Sequence, residues 1–131
     1  MYKAASLGFG VAKPYGDSER FDFIVSSGRR LWRVQVKSCY NAGKRGYDVR
    51  ACGNWNRGLE MYTPEEIDVI VVYLVPEDAW YVIPIEAIGK RYCLYFHPNG
   101  SRTGMYQYEK YREAWWVMKS NHKLDVAKSP R

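Results

Sequence analysis

Residues 21–37 read FDFIVSSGRRLWRVQVK, and their alternation decides the fold. Phe21, Phe23 and Val25 fall on one side of a two-residue repeat, with Asp22 and Ile24 on the other. Trp32, Val34 and Val36 repeat the pattern, with Leu31, Arg33, Gln35 and Lys37 opposite. Ser26-Ser27-Gly28 supplies turn residues between the runs. The stretch therefore predicts a β-hairpin with strands Phe21–Val25 and Leu31–Lys37. Such a hairpin sets Asp22, the one acid of its apolar run, beside Gln35 and Lys37 on a shared face. A carboxylate, an amide oxygen and an ammonium at one place can cleave a phosphodiester. The oxygens of Asp22 and Gln35 and the Val36 carbonyl can hold Mg²⁺, which polarises a phosphate and acidifies bound water. Lys37 can orient or deprotonate that water, or stabilise charge in the transition state. The plainer alternatives stay open. Lys37 can be a solvated strand end with its stem packed on apolar neighbours, and Asp22 can cap a turn or pair with Arg33 or Lys37.

Working outward, the spacing predicts the end of a helix running into a strand over Tyr2–Val11, a strand over Tyr47–Cys52 and a loop over Gly53–Gly58. Thr63-Pro64-Glu65-Glu66 places an N-cap, a Pro at the first helical position and a Glu for a capping box, so it starts one short turn. Val69–Val75 is apolar and β-branched, as expected of a strand buried on both faces. Ala79–Ile83 returns as the next strand after Pro76-Glu77-Asp78. Pro84–Ile88 reads as a short helix and Tyr92–Phe96 as a last short strand. Tyr108, Tyr111, Trp115 and Met118, at three- and four-residue spacing, predict a helix over Tyr106–Lys119. Trp115 and Trp116 make it a candidate packing or oligomer surface. Residues 1–120 read as one domain, followed by a polar tail over 121–131.

The charge is +6 over 131 residues, and it is unevenly spread. Arg29 to Arg57 holds eight Lys/Arg and one acid, Asp48, whereas Glu60 to Glu86 holds seven acids and no Lys/Arg. A basic surface on the first half suits a nucleic acid, with Arg29, Arg30, Arg33, Lys44, Arg45, Arg50 and Arg57 as candidate phosphate contacts. Tyr40, Tyr47 and Trp55 are interleaved with it, either to stack on bases or to pack the core. Cys39, Cys52 and Cys93 have no CxxC or Cys/His spacing, which argues against zinc. No apolar run approaches the roughly 20 residues of a membrane span, and no signal peptide is visible. A soluble, cytoplasmic protein is expected. Ser26, Ser38 and Cys39 have no base at useful spacing, and His97 reads as a loop residue.

In order, the strings KPYGDSERFDFIV, GRRLWRVQVKS, TPEEIDVIVVYLVPEDAWYVIPI and KYREAWW resemble the PD-(D/E)xK endonuclease superfamily, in its group I intron-associated type, from Leu7 to about Lys119. The resemblance implies an α/β, restriction-endonuclease-like core, a mixed β-sheet flanked by helices. It implies a metal-dependent endodeoxyribonuclease using Mg²⁺ or Mn²⁺, with DNA as partner and no membrane. Asp22 matches the metal-binding aspartate and Lys37 the catalytic lysine. Gln35 stands where most of the superfamily has Glu or Asp. The family's opening helix contributes another acid, yet no acid precedes Asp17 here. The expectation is therefore an N-terminal helix cut short at Met1, with the start lying upstream or catalysis impaired. Asp17 and Glu19 are the available substitutes. A non-catalytic DNA-binding domain of the same fold is the second reading, and a structural domain with a solvated basic loop the third. Cutting both strands of a duplex needs two active sites, so a homo-oligomer is expected.

Overall fold

A computed structural model describes residues 2–16, 19–28, 30–55, 58–100 and 107–119, with the backbone alone for residues 54 and 55. Asp17, Arg29, Arg57 and the tail over 121–131 lie outside the described residues. Helix α1 (Tyr2–Ser6) leads into β1 (Gly10–Ala12), which is followed by β2 (Phe23–Ser26) and β3 (Leu31–Cys39). Beyond β3 come β4 (Tyr47–Arg50), β5 (Cys52–Trp55) and β6 (Gly58–Met61). The chain continues through β7 (Val69–Leu74), β8 (Ala79–Pro84) and β9 (Cys93–Phe96). A five-stranded mixed sheet has the order β1-β2-β3-β7-β8, antiparallel except for the central β3–β7 pair, which is parallel. Two antiparallel ribbons, β4–β9 and β5–β6, stand apart from it.

The sheet is buried on both faces at its β7 and β8 strands, while β1 at the edge is exposed. Ile70, Val72 and Leu74 of β7 join Tyr81 and Ile83 of β8 on one side, together with Tyr47, Val49, Leu94 and Phe96 from the β4–β9 ribbon. Val69, Val71, Val82, Val25, Trp32 and Val34 fill the other side, with Ala4 of α1 and Trp115. The continuous apolar run of β7 follows from this double burial. The ribbon β4–β9 closes tightly at Gly46, whose φ is +96° and whose position would put a Cβ 2.7 Å from the His97 ring and the Phe96 carbonyl. Only glycine fits both conditions.

Asp68 sets the parallel register. Its backbone N–H donates to the Arg33 carbonyl at 2.9 Å, and its Oδ2 accepts from the Arg33 backbone N–H at 2.8 Å. The Arg33 guanidinium grips both carboxylate oxygens at 3.1 Å, and Arg30 adds a bond to Oδ1 at 3.2 Å. Arg33 also donates to the carbonyls of Glu65 and Pro64. Burial pushes the Asp68 carboxyl up, but the hydrogen bonds and charge of Arg33, with Arg30 behind them, pull harder and hold it below the ordinary carboxylate range. The same hydrogen bond raises the Arg33 guanidinium.

Several expectations change. β2 begins at Phe23, so Phe21 does not share the face of Val25; it packs against the opposite cluster. β3 runs on through Ser38 and Cys39. Instead of one strand over Tyr47–Cys52 and a loop to Gly58, the chain bends at buried Ala51 and starts a second hairpin, β5–β6. Helix over Tyr106–Lys119 is absent from the described part of that stretch. Two 3₁₀ turns, Glu109–Tyr111 and Trp115–Met118, flank Glu113, whose φ is +52°. Arg112 bridges Tyr81 of β8, and the Glu113 N–H donates to the Trp80 carbonyl. Pairing with the sheet edge thus overrides the helical period, while Tyr108, Trp115 and Met118 still turn inward. Of the two roles expected there, packing or oligomer surface, Trp115 takes packing: it is core against Phe9 and Trp80, while Trp116 is exposed. Among the described residues α1 is the one α-helix, so little helix flanks this sheet.

Asp68→Asn should cost about 2 kcal/mol of unfolding free energy at pH 7. A carboxylate depressed in the fold adds stability above its unfolded value of about 3.9 and gives it up as the pH falls through the folded one. Urea unfolding at pH 7 and at pH 3 should therefore show the deficit of the variant narrowing at the lower pH. An equal deficit at both pH values would contradict the assignment.

Candidate active site

The residue pattern of the hairpin converges on three consecutive positions of β3. Asp22 sits one residue ahead of β2, where its backbone N–H still donates to the Val34 carbonyl at 2.8 Å. Its side chain then replaces the next rung of the ladder. Oδ2 accepts the Val36 backbone N–H at 2.9 Å. The carboxylate is thereby docked on β3 between Gln35 and Lys37. The salt bridges weighed for Asp22 are not formed: Arg33 serves Asp68, and Asp22 serves a backbone amide.

Gln35 is 9 % exposed, the one buried amide or charged side chain among the described residues. It lies opposite Ile70 of β7, with Ile83 of β8 next in line, in the middle of the sheet. Lys37, two residues on, shares that face. Its stem is half-buried, and its ammonium lies 5.3 Å from the centroid of the Tyr62 ring. No carboxylate of a described residue comes within 4.0 Å of it. The Val36 side chain turns the other way, towards Trp80 and the second cluster. Only its backbone belongs to the site.

No three of His, Cys, Asp and Glu gather among the described residues in a way that could hold a metal ion. A cation at Asp22 would therefore meet one carboxylate and neutral oxygens, from Gln35 and the Val36 carbonyl. Such a donor set is poor in charge and fits an ion that keeps much of its water shell, as Mg²⁺ does. Glu19 is exposed.

The basic residues divide. Arg33 is committed to Asp68 and two loop carbonyls, and Arg30 to Asp68 and the face of Trp32, 3.8 Å away. Both are engaged within the fold by Asp68, 35 residues downstream of Arg33, a partner that the sequence expectation of phosphate contacts did not include. Lys44 and Arg45, on the turn between Gly43 and Gly46, are exposed, as is Arg50 on the outer face of β4. No described carboxylate pairs with these three. Tyr40 is 67 % exposed at the end of β3, whereas Tyr47 is core, its hydroxyl donating to Glu77 at 2.9 Å. The Trp55 side chain lies outside the described residues.

Tyr62 and Arg20 belong to the surroundings of this site, and nothing in their local sequence marks them. Arg20, two residues before Asp22, ion-pairs with Glu60 at 2.6 Å and Glu66 at 2.8 Å, on either side of Tyr62. Glu66 also accepts from the Thr63 N–H, one arm of the anticipated capping box, and from the Thr63 hydroxyl, while the Glu66 N–H goes to the Thr63 carbonyl.

A family model described as PD-(D/E)XK endonuclease matches residues 1–118. Among solved structures, a bacterial homing endonuclease, I-Ssp6803I, is similar over 99 % of this chain and 89 % of that one, at 26 % identity and a TM-score of 0.78. No curated protein matches significantly. The mixed sheet is that of a restriction-endonuclease-like core, as the sequence resemblance implied.

Asp22→Asn keeps an oxygen for the Val36 N–H and should leave the melting temperature close to that of the parent. Asp22→Ala strips the amide of its partner at a half-buried site and should cost about 1–2 kcal/mol. Thermal melts of both variants check this, and an asparagine variant as unstable as the alanine one would show that the ladder bond is not what Asp22 supplies.

Proposed function

The chain belongs to the PD-(D/E)XK endonuclease family, and from that premise we propose that it is a metal-dependent endodeoxyribonuclease hydrolysing DNA phosphodiester bonds at Asp22, Gln35 and Lys37. The observation that carries the reading is the Asp22 carboxylate docked on the Val36 N–H, between the two other candidates. The likeness to a bacterial homing endonuclease supports it. Asp22, Gln35 and the Val36 carbonyl would hold Mg²⁺ or Mn²⁺. When bound, such an ion neutralises phosphate charge and acidifies water. Lys37, with no carboxylate of a described residue to neutralise it, presents its ammonium to the non-bridging phosphate oxygens and to the attacking water, so that charge developing in the transition state meets a fixed cation. Lys44, Arg45 and Arg50 grip the flanking backbone, joined by Arg29 and Arg57 from outside the described residues. Cleavage of both strands calls for a homo-oligomer with two such sites. The reading places the enzyme in the cytoplasm, and the three cysteines, all free, suit a reducing compartment.

One observation favours a second reading, a DNA-binding domain without turnover. α1 carries Lys3 and no acid, so among the described residues Asp22 is the lone carboxylate of the site. Nicking of supercoiled plasmid separates the two. With Mg²⁺ the protein should convert supercoiled to open-circle DNA, chelation should stop it, and Lys37→Ala should slow it by about 10²-fold or more. Nicking no faster than that of Lys37→Ala, with DNA binding that weakens steeply as salt rises, would establish the second reading. Loss of salt-dependent binding as well would remove both.

A further inference from the structure

Tyr62 is the one aromatic ring beneath the Lys37 ammonium among the described residues, and its placement is over-determined. It follows β6 directly and precedes the capped turn at Thr63. Arg20 clamps Glu60 on one side of it and Glu66 on the other. Through Arg20 the same clamp reaches the segment that carries Asp22, two residues along. The ring is 6 % exposed and part of the cluster containing Ile70 and Val72. At that burial it cannot stack on a nucleotide base, so any effect on catalysis must pass through its neighbour.

We propose that Tyr62 is a positioning residue for Lys37: its ring face holds the ammonium beside Asp22, doing the work that a carboxylate partner does for many buried lysines. The proposal rests on the nuclease reading for its consequence, though not for its geometry. A lysine side chain has four rotatable bonds and loses much of its freedom when fixed. An ion pair would fix it but would also neutralise the charge that the phosphate needs. A ring face within about 6 Å attracts the cation through its quadrupole and leaves the formal charge intact. Lys37 lies within that distance. The Arg20 clamp then transmits one rigid geometry to both the carboxylate and the ammonium.

The test compares Tyr62→Phe with Tyr62→Leu in the full chain. In the parent, ring current should shift the Lys37 ε-methylene protons upfield of their random-coil position in the NMR spectrum. Tyr62→Phe should keep that shift, and Tyr62→Leu should lose it. With Mg²⁺ and plasmid, Tyr62→Leu should lower kcat about five- to tenfold with KM for DNA unchanged, and Tyr62→Phe should restore the parent rate. Should Tyr62→Leu not fold, Arg20→Met leaves the ring present but untethered, and should shrink the upfield shift and lower kcat in the same direction. The proposal is overturned by a Lys37 resonance at its random-coil position in the parent, or by a Tyr62→Leu enzyme as fast as the parent. A retained shift in a protein that nicks no DNA would uphold the geometry while removing the nuclease reading.

Discussion

The bidentate grip of Arg33 on Asp68 is the constraint from which the rest of this structure hangs. Parallel strands have no tight turn to fix their register, and β3 and β7 are separated by three ribbon strands, β4, β5 and β6. A slip of one residue in that pair would exchange the two faces of β3. Gln35 and Lys37 would then point at Trp80 and Trp115, and Trp32, Val34 and Val36 would face the ribbons. Asp68 prevents this by joining side chain to side chain and backbone to backbone at a single residue pair. The two charges are mostly withdrawn from water, and they are tolerable there because nearly every donor and acceptor of the pair has a partner.

With the register fixed, the position of Asp22 follows from how β2 begins. The regular strand starts one residue late, at Phe23, and the carboxylate takes the rung that a backbone carbonyl would otherwise fill. Phe21 consequently swings to the ribbon side of the sheet and packs there. One hydrogen bond thus terminates a strand, turns a phenylalanine into the opposite core and holds a carboxylate beside two polar residues of the central strand β3. A site seated on a central strand keeps its geometry far better than one on a loop.

Sequence pattern made much of this legible where the governing interactions are local or strictly periodic. The hairpin of residues 21–37, the doubly buried β7 and the capping box at Thr63 all belong to that kind. The pattern failed where a distant partner decides. Tyr108, Tyr111, Trp115 and Met118 have helical spacing, yet the edge of β8 captures Arg112 as extended chain and the Glu113 N–H in a left-handed turn, and two 3₁₀ turns deliver the same side chains to the core. Arg30 and Arg33 look like part of a basic surface until Asp68 is brought to them. Tyr62 carries no local signal at all, because its significance lies in Lys37, on a strand 25 residues earlier. Gly53–Gly58 reads as a loop, since Gly53, Asn54 and Asn56 mask a strand pairing that only the opposing residues 58–61 reveal.

The amide at position 35 makes physical sense in this setting. Gln35 stands in the middle of the sheet with apolar neighbours from β7 and β8, where an ionised group is costly to bury. A second carboxylate beside Asp22 would add like-charge repulsion to that cost whenever no cation is present. Glutamine avoids both penalties and still offers an oxygen. On the proposed reading, the described residues of the site bring one formal negative charge and one lysine, so its own attraction for a divalent ion is weak. A DNA phosphate entering beside Asp22 brings the missing negative charge with it. On this reading the cation is best held when the substrate is already there, and the fold keeps a stable sheet in its absence.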